Sequence, residues 1–297
     1  MSVATSEAGL AAAETFSRRL VRRQHLWWER PRRGGRTLRD AVHGVRERRT
    51  FRRRDDPDGA WRCCASWQRT LINKWNGREF AARHGCPLPE LYWCGSDPSR
   101  APLESLPDAF VIRPVFGLLR RGVAVVVDGR ELIRGGSASA AELRAAFPRS
   151  RYLPRRGPVL IEEFVGHDDS LPLEYKVHVY GEQVGAVSLT RREVGVEPRH
   201  RFYARDWEPL PDPINTELPQ DDVTERPRCL GRMLNLAAAM GAEIGTYMRV
   251  DFFGLGEGAS DCVFNEFSSV PAKGRYYTPY ADRVFGELWT ERLGASV

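Results

Sequence analysis

The alternation of apolar and polar positions is clearest near the C-terminal end of the chain, where it predicts two short strands. Residues 249–253 (Arg-Val-Asp-Phe-Phe) and 264–269 (Phe-Asn-Glu-Phe-Ser-Ser) each carry an acid at the centre of a β pattern, and the Gly-rich stretch between them is typical of a hairpin connection. Antiparallel pairing would bring Asp251 and Glu266 close together. Arg249 would lie on the same face as Asp251, because side chains on a strand alternate with period two.

Two carboxylates held this close repel each other unless a cation lies between them. Hard oxygen ligands suit Mg²⁺, which usually binds one or two carboxylates together with substrate phosphates. With Arg249 beside it, such a site would stabilise negative charge on a phosphoryl group during transfer. The same three side chains could instead form an Arg-Asp-Glu salt-bridge cluster on a solvated strand, and the local sequence leaves both interpretations open.

The remaining pattern predicts a mixture of helices and strands. Helices are expected over 67–84 (closed by Gly85), 138–147, 228–240 (closed by Gly241) and 279–293, strands over 109–114, 122–127 and 158–164, and hairpins at Asp128-Gly129 and Gly181-Glu182. The polar, Pro-rich segment 191–222 has no clear periodicity. Loops of this length in compact domains often act as lids, so we expect it to be one.

Composition indicates a soluble globular protein with an unusual N-terminal arm. The chain has 297 residues, 42% hydrophobic and 28% charged, which allows one large or two smaller domains. Residues 1–62 contain sixteen Arg, no Lys and eight acids, so the net charge of +6 belongs to this segment and not to the body. An Arg-rich arm with interleaved aromatic residues could bind nucleic acid, although an amphipathic helix pair that covers the body is the commoner interpretation.

Cysteine usage points to a reducing compartment. The six cysteines form no C-x-x-C pair, and the adjacent Cys63 and Cys64 rarely form a structural disulfide, which argues against structural zinc as well. The order of charges at the N-terminus does not fit a secretory signal, and no run approaches the roughly 18 apolar residues that span a bilayer. We therefore expect a cytoplasmic protein without a membrane span, and the oligomeric state stays open.

With these elements in place, the chain resembles the ATP-grasp superfamily and, within it, the TupA-like branch, named for teichuronopeptide synthesis. The similarity runs from about Thr70 to Trp289. The motifs that carry it are Asn73–Phe80, Leu106–Pro114, Val159–Val165, Glu174–Val177, Arg201–Trp207 and the two acidic strands, in the order of the family.

This resemblance implies an α+β, ATP-grasp fold in which the nucleotide is held between two small antiparallel-sheet subdomains. Residues 1–62 would form a basic helical arm, and residues 63–157 the N-terminal and small subdomain with the phosphate loop. Residues 158–297 would form the large subdomain, with a lid at 191–222 and the magnesium site.

The resemblance also implies roles for individual residues, with ATP and Mg²⁺ as cofactors. The catalytic residues would be Arg249, Lys74 and Arg113; the nucleotide would be bound by Lys74, Arg113, Arg120, Arg121, Glu162, Glu163, Phe164, Val165, Glu174 and Lys176; the metal ligands would be Asp251, Glu266 and Ser268. Backbone groups at Glu163 and Val165 would contact adenine, and Glu174 would accept hydrogen bonds from the ribose.

The implied activity is that of an ATP- and Mg-dependent ligase, which joins a small-molecule carboxylate to an amine through an acyl phosphate, in specialised-metabolite or cell-envelope biosynthesis. The chain departs from the family pattern in three places. It has Arg113 where Lys is usual, only two glycines in the phosphate loop at 115–122, and Ser268 where many relatives have Asn. A phosphotransferase on the same scaffold, or a catalytically silent nucleotide- or RNA-binding protein, are the alternatives.

Overall fold

Two five-stranded antiparallel sheets form the body of the protein. The computed structural model describes residues 15–21, 50–64, 67–116, 122–146, 158–167, 170–255 and 260–293. The strand order is β1-β5-β2-β3-β4 in the first sheet and β10-β9-β6-β7-β8 in the second. The α+β class expected from the sequence is therefore confirmed.

The elements have the following bounds. The strands are β1 (Leu91–Gly95), β2 (Ala109–Pro114), β3 (Ala124–Val127), β4 (Arg130–Glu131), β5 (Val159–Glu163), β6 (Glu174–Tyr180), β7 (Gln183–Arg191), β8 (Arg199–Tyr203), β9 (Tyr247–Leu255) and β10 (Asp261–Ser268). The helices are α1 (16–21), α2 (Asp58–Trp61), α3 (Lys74–Arg83), α4 (Ala140–Ala146), α5 (Leu230–Ile244) and α6 (Pro279–Leu293).

The first sheet packs one face against its own small core and turns the other toward the second sheet. Ile112 and Ile161 are buried in the small core, whereas the neighbouring Val111 lines the space between the sheets, as strand alternation requires. The hairpin predicted at Asp128-Gly129 is confirmed, with φ angles of 48° and 71° at the two residues. Strand β5 pairs with β1 and β2 and therefore belongs to the first sheet.

Helix α5 covers the outer face of the second sheet. Leu230, Met233, Ala237, Met240 and Ile244 recur at helical spacing and are buried in the main core together with valines of β6 and β9. This leaves the inner face of β6 and β9 free to carry polar side chains toward the first sheet.

Two predicted helix boundaries are wrong. The helix expected over 67–84 is a 3₁₀ helix (Trp67–Ile72) followed by α3, because the side chain of Asn73 accepts hydrogen bonds from the N–H groups of Trp75 and Asn76 and starts a new helix. The helix expected to end at Gly241 continues to Ile244, where Gly245 at φ 66° terminates it.

The prediction that 191–222 is a loop is also wrong in part. Residues 199–203 form β8, which pairs with β7 at the edge of the second sheet. Tyr203 and Trp207 are buried, and their rings stack with centroids 3.9 Å apart. These aromatic residues therefore anchor the segment in the core, which leaves the remainder of the segment as the candidate lid.

Parts of the N-terminal arm pack on the body. Phe16 and Leu20 of α1 are fully buried beside Phe285 and Trp289 of α6. Farther along, the indole N–H of Trp75 donates to the Arg52 carbonyl at 2.7 Å, and residues 50–64 lie against α3. Residues 22–49 lie outside the described residues. No helix in the described part of the chain is long and apolar enough to cross a membrane.

The packing of α5 on the β6–β7 hairpin gives a stability prediction. A Cβ added at Gly241 would lie 2.2 Å from the Gly181 carbonyl oxygen, whereas a Cβ at Gly231, on the same helix, would meet nothing within 4 Å. Gly241→Ala should therefore destabilise the fold by about 1–3 kcal/mol. Gly231→Ala should be neutral or stabilise by about 0.5–1 kcal/mol. Urea unfolding measures the free energy of unfolding of both variants. Equal values for Gly241→Ala and Gly231→Ala would contradict the close packing at Gly241.

Candidate functional site

A deep cleft of about 860 Å³ lies between the two sheets. Its first wall comes from β2, β5 and the start of α3, and its second wall is the inner face of β6, β7, β9 and β10. Polar side chains cover the middle of this cleft, and apolar side chains cover one end.

The register of the second sheet fixes the positions of the polar side chains. The central row across the sheet consists of Glu266, Asp251, Lys176 and Ser188. The row on one side of it consists of Ser268, Arg249 and His178. The row on its other side consists of Phe253, Glu174 and Thr190. The predicted pairing of the acidic strands is confirmed, since Asp251 and Glu266 are direct cross-strand partners.

Both carboxylates of this pair are held by cations. Arg249 donates from Nε and Nη2 to the two oxygens of Asp251 at 2.7 and 2.6 Å, and Asp251 is only 1% exposed. Glu266, on the neighbouring strand, lies 3.2 Å from the Nζ of Lys74, the first residue of α3. The structure thus brings together the four residues that were expected to form the centre of the site.

The pKa values of Asp251 and Glu266 are shifted in opposite directions. Burial raises the pKa of Asp251 to about 6, against the opposing charge of Arg249. Burial also raises the pKa of Glu266, but the charges of Lys74 and Arg249 outweigh it, so this pKa is lowered overall. Burial thus disfavours the ionised form of Asp251 even beside Arg249, and a further cation at this carboxylate would favour ionisation.

Arg113 and Glu162 belong to a buried network that connects the two sheets. Glu162, 2% exposed, accepts from Arg78 at 2.8 Å and from the Nε of Arg113 at 2.8 Å. The Nη1 of Arg113 donates to Oδ1 of Asn265, on β10, at 2.7 Å. The side chain of Glu162 therefore contacts two arginines in this structure, and Glu162 also lines the cleft, so its contact with a nucleotide stays a prediction.

Glu174 and Lys176 form a second ionic group on β6. The Nζ of Lys176 donates to Glu174 at 2.8 Å and to the hydroxyl of Thr190 at 2.7 Å, and Arg192 also donates to Glu174, at 3.2 Å. Burial raises the pKa of Glu174, but the charges of Lys176 and Arg192 more than compensate and lower it to about 2. Glu174 is therefore ionised at neutral pH and remains a hydrogen-bond acceptor.

The end of the cleft beside β3 and β5 is apolar. Val111, Val125, Phe164, Val165 and Phe253 line it. The neighbouring Glu163 is exposed, and its backbone N–H donates to the Glu90 carbonyl at 2.9 Å, so this N–H is not available to a ligand. Arg120 and Arg121, expected to bind phosphate, lie outside the described residues.

Comparison with solved structures identifies the architecture. Similar structures include the VanG D-Ala:D-Ser ligase of Enterococcus faecalis (17% identity, TM-score 0.50, covering 77% of this chain and 63% of that one) and the D-alanine-D-alanine ligase of Helicobacter pylori (16%, 0.48, 77% and 61%). Another is the ATP-grasp ligase PsnB with Mg and ADP (13%, 0.41, 74% and 59%). This chain has the ATP-grasp fold.

At these identities the likeness concerns the fold alone. The chain spans about three fifths of the length of the first two ligases. It matches no protein-family model, and no curated protein sequence is similar to it.

The carboxylates of this ATP-grasp cleft fit a magnesium ion. Asp251 and Glu266 supply two hard oxygen donors and Ser268 a weaker hydroxyl, while no group of three or more His, Cys, Asp or Glu in the described ranges could hold a metal. Mg²⁺ commonly binds one or two carboxylates and takes its other ligands from substrate phosphates and water. A site completed by nucleotide therefore suits these residues better than a metal site made by the protein alone.

Sequence reasoning missed four residues of the cleft or its supporting network: Arg78, His178, His200 and Asn265. His178 follows Glu174 and Lys176 at period two on β6, so the alternation could have placed it on the inner face. It is 3% exposed, and its Nδ1 lies 3.0 Å from the hydroxyl of Tyr247. Burial, Arg249 and Lys176 lower its pKa well below the usual value.

His200 gives a prediction for stability against pH. Burial and the charge of Lys176 lower its pKa from 6.5 to about 4, so the folded ring stays neutral where the unfolded imidazole binds a proton. The unfolded state thus holds more protons in this window, and the free energy of unfolding should fall as the pH falls from 6.5 to about 4. The contribution of one such ring is about 1.4 kcal/mol per pH unit.

The substitution His200→Gln removes this proton uptake. The plot of unfolding free energy against pH should then be flatter than that of the unsubstituted protein by about the slope given above. Urea unfolding across the same pH window measures both slopes, and identical slopes would mean that the ring is not held neutral.

Proposed function

We propose that this protein is an ATP- and Mg²⁺-dependent carboxylate–amine ligase of the TupA-like branch, acting in the cytoplasm in specialised-metabolite or cell-envelope biosynthesis. The observation that carries the proposal is the direct pairing of Asp251 with Glu266 on the second wall of the cleft, which Arg249 and Lys74 also line. Its substrates would be a small-molecule carboxylate and an amine.

The shape and polarity of the cleft support one orientation of the nucleotide. The apolar end suits the adenine ring, with the carbonyl of Glu163 and the amide of Val165 at its edge. Glu174 is ionised and is the cross-strand partner of Phe253 on β9, so it suits the ribose hydroxyls. The phosphates would then extend toward the cations in the middle of the cleft.

Lys74 and Arg113 approach the middle of the cleft from the first wall, and Arg249 from the second. Their charges would stabilise the γ-phosphoryl group as it moves to a substrate carboxylate and forms an acyl phosphate. Asp251, Glu266 and Ser268 would hold Mg²⁺, which supplies charge neutralisation at the phosphate oxygens. An amine then attacks the acyl carbon, and phosphate leaves as the amide forms.

Water must be kept away from such an intermediate. Residues between Ile214 and Leu218, within the candidate lid, and between Val270 and Tyr277 line the far end of the cleft, where Ile214 and Val270 contribute apolar surface. Hydrogen bonds from Thr216 to the Tyr276 carbonyl and from Thr278 to the Ile214 carbonyl join these two segments. This wall would bind the acceptor and limit hydrolysis.

Substitution of the paired acids tests the metal role. Asp251→Asn and Glu266→Gln should each reduce Mg-dependent release of ADP from ATP by roughly a hundredfold or more, because each removes a charged ligand from the phosphoryl-transfer site. Asp261→Asn, on the same hairpin but bonded to Arg232 away from the cleft, is the matched control and should keep the activity. Full activity in the first two variants would refute the proposal.

The reaction class is tested by trapping the intermediate. Carboxylic acids supplied singly with ATP and MgCl₂ should yield a hydroxamate when hydroxylamine replaces the natural amine, because hydroxylamine attacks acyl phosphates. Colorimetric detection of the hydroxamate, with mass spectrometry of the product, measures this outcome. A stable phosphorylated product without any amide or hydroxamate would instead identify a phosphotransferase.

A further inference from the structure

Strand β10 contains an irregularity next to Glu266. Phe264 pairs with Phe252 and Glu266 pairs with Asp251, so Asn265 is an extra residue without a cross-strand partner. Such a β-bulge re-aims a side chain at one point of a strand and is frequent beside active sites. Without it, Asn265 and Glu266 would point to opposite faces, whereas here both line the cleft.

The bulge brings Asn265 to a cation of the other sheet. Its Oδ1 accepts from the Nη1 of Arg113 at 2.7 Å, and both residues are buried, at 6% and 8% exposed. The adjacent Glu266 makes the second contact across the cleft, with Lys74. Two consecutive residues of β10 therefore hold Arg113 and Lys74 of the first wall.

Arg113 is fixed from its other side as well. Its Nε donates to Glu162 at 2.8 Å and its Nη2 lies 2.5 Å from the same carboxylate oxygen, while Arg78 holds the other oxygen of Glu162. An arginine has five N–H donors in a rigid fork, so these contacts do not use all of them, and Arg113 lines the cleft. A lysine ammonium is a point charge on a flexible stem and lacks the separate nitrogens with which Arg113 contacts Glu162 and Asn265.

From this arrangement we propose that Asn265 is a positioning residue for nucleotide binding. The β10 bulge places its side chain in the cleft beside Glu266, where it holds the guanidinium of Arg113. Because this contact uses a guanidinium nitrogen, it favours arginine over lysine at position 113. The inference rests on the proposed function, because it assumes that Arg113 contacts nucleotide phosphate. Asn265 acts on the nucleotide only through Arg113.

A double-mutant cycle on nucleotide affinity tests this indirect role. Calorimetric titration with ADP and MgCl₂ gives the dissociation constant of the full chain and of Asn265→Ala, Arg113→Ala and the double variant. Asn265→Ala should weaken binding by roughly tenfold, the effect of one lost hydrogen bond to a charged group. In the Arg113→Ala background the same substitution should change the affinity by less than about twofold, since the residue it positions is gone.

The conservative variant tests the choice of arginine. Arg113→Lys keeps the charge but should bind ADP and Mg²⁺ at least about fivefold more weakly than the unsubstituted protein, because the bridge to Asn265 is lost. Asn235→Ala, an exposed asparagine on α5, is the matched control and should leave the affinity unchanged. Thermal melting of each variant without nucleotide establishes that it is folded, and Arg113→Lys replaces Arg113→Ala in the cycle if the latter does not fold.

The outcomes separate the two proposals. If the unsubstituted protein binds ADP and Mg²⁺ but Asn265→Ala binds as tightly, or if the losses of the two substitutions simply add, the positioning role is overturned and the proposed function stands. If the unsubstituted protein does not bind the nucleotide at all, both proposals fail. A loss with Asn265→Ala that disappears in the Arg113 background supports the positioning role.

Discussion

Charge compensation across the cleft is the constraint on which the arrangement of the site depends. In the ion pairs described above, six cationic side chains share four carboxylates. Buried charges without partners are costly, so each acid needs its cation, and the surplus of positive charge in this set suits an anionic ligand. The metal ion and the phosphates of the nucleotide would replace some of these internal contacts in the middle of the cleft.

The backbone supplies the positions that this compensation requires. Strand pairing places Asp251 opposite Glu266, the capping of α3 by Asn73 places Lys74 at a helix start, and the bulge at Asn265 adds a contact to Arg113. The two sheets have separate cores, so the contact from Arg113 on β2 to Asn265 on β10 connects them at the point where phosphates would lie. Local backbone features thus determine which charges meet.

The part of the site that lies on regular strands could be predicted from sequence, because alternation alone places Arg249 and Asp251 on one face. The bulge could not, since nothing in Phe-Asn-Glu-Phe distinguishes it from regular alternation. Glu162 was equally hidden, because its partners Arg78 and Arg113 are 84 and 49 residues away in sequence. Strand β8 was missed because the Pro-rich composition around it resembles a loop, although Arg199 to Phe202 alternate in burial.

The central claim is that Asp251 and Glu266 together hold a divalent cation that binds nucleotide phosphates. Anomalous diffraction from crystals grown with manganese and a non-hydrolysable ATP analogue tests it most directly, since Mn²⁺ replaces Mg²⁺ and can be located by its own signal. The account predicts a manganese peak in contact with both carboxylates and with the phosphates. Nucleotide bound in the cleft with manganese elsewhere, and Asp251 still paired only with Arg249, would contradict it.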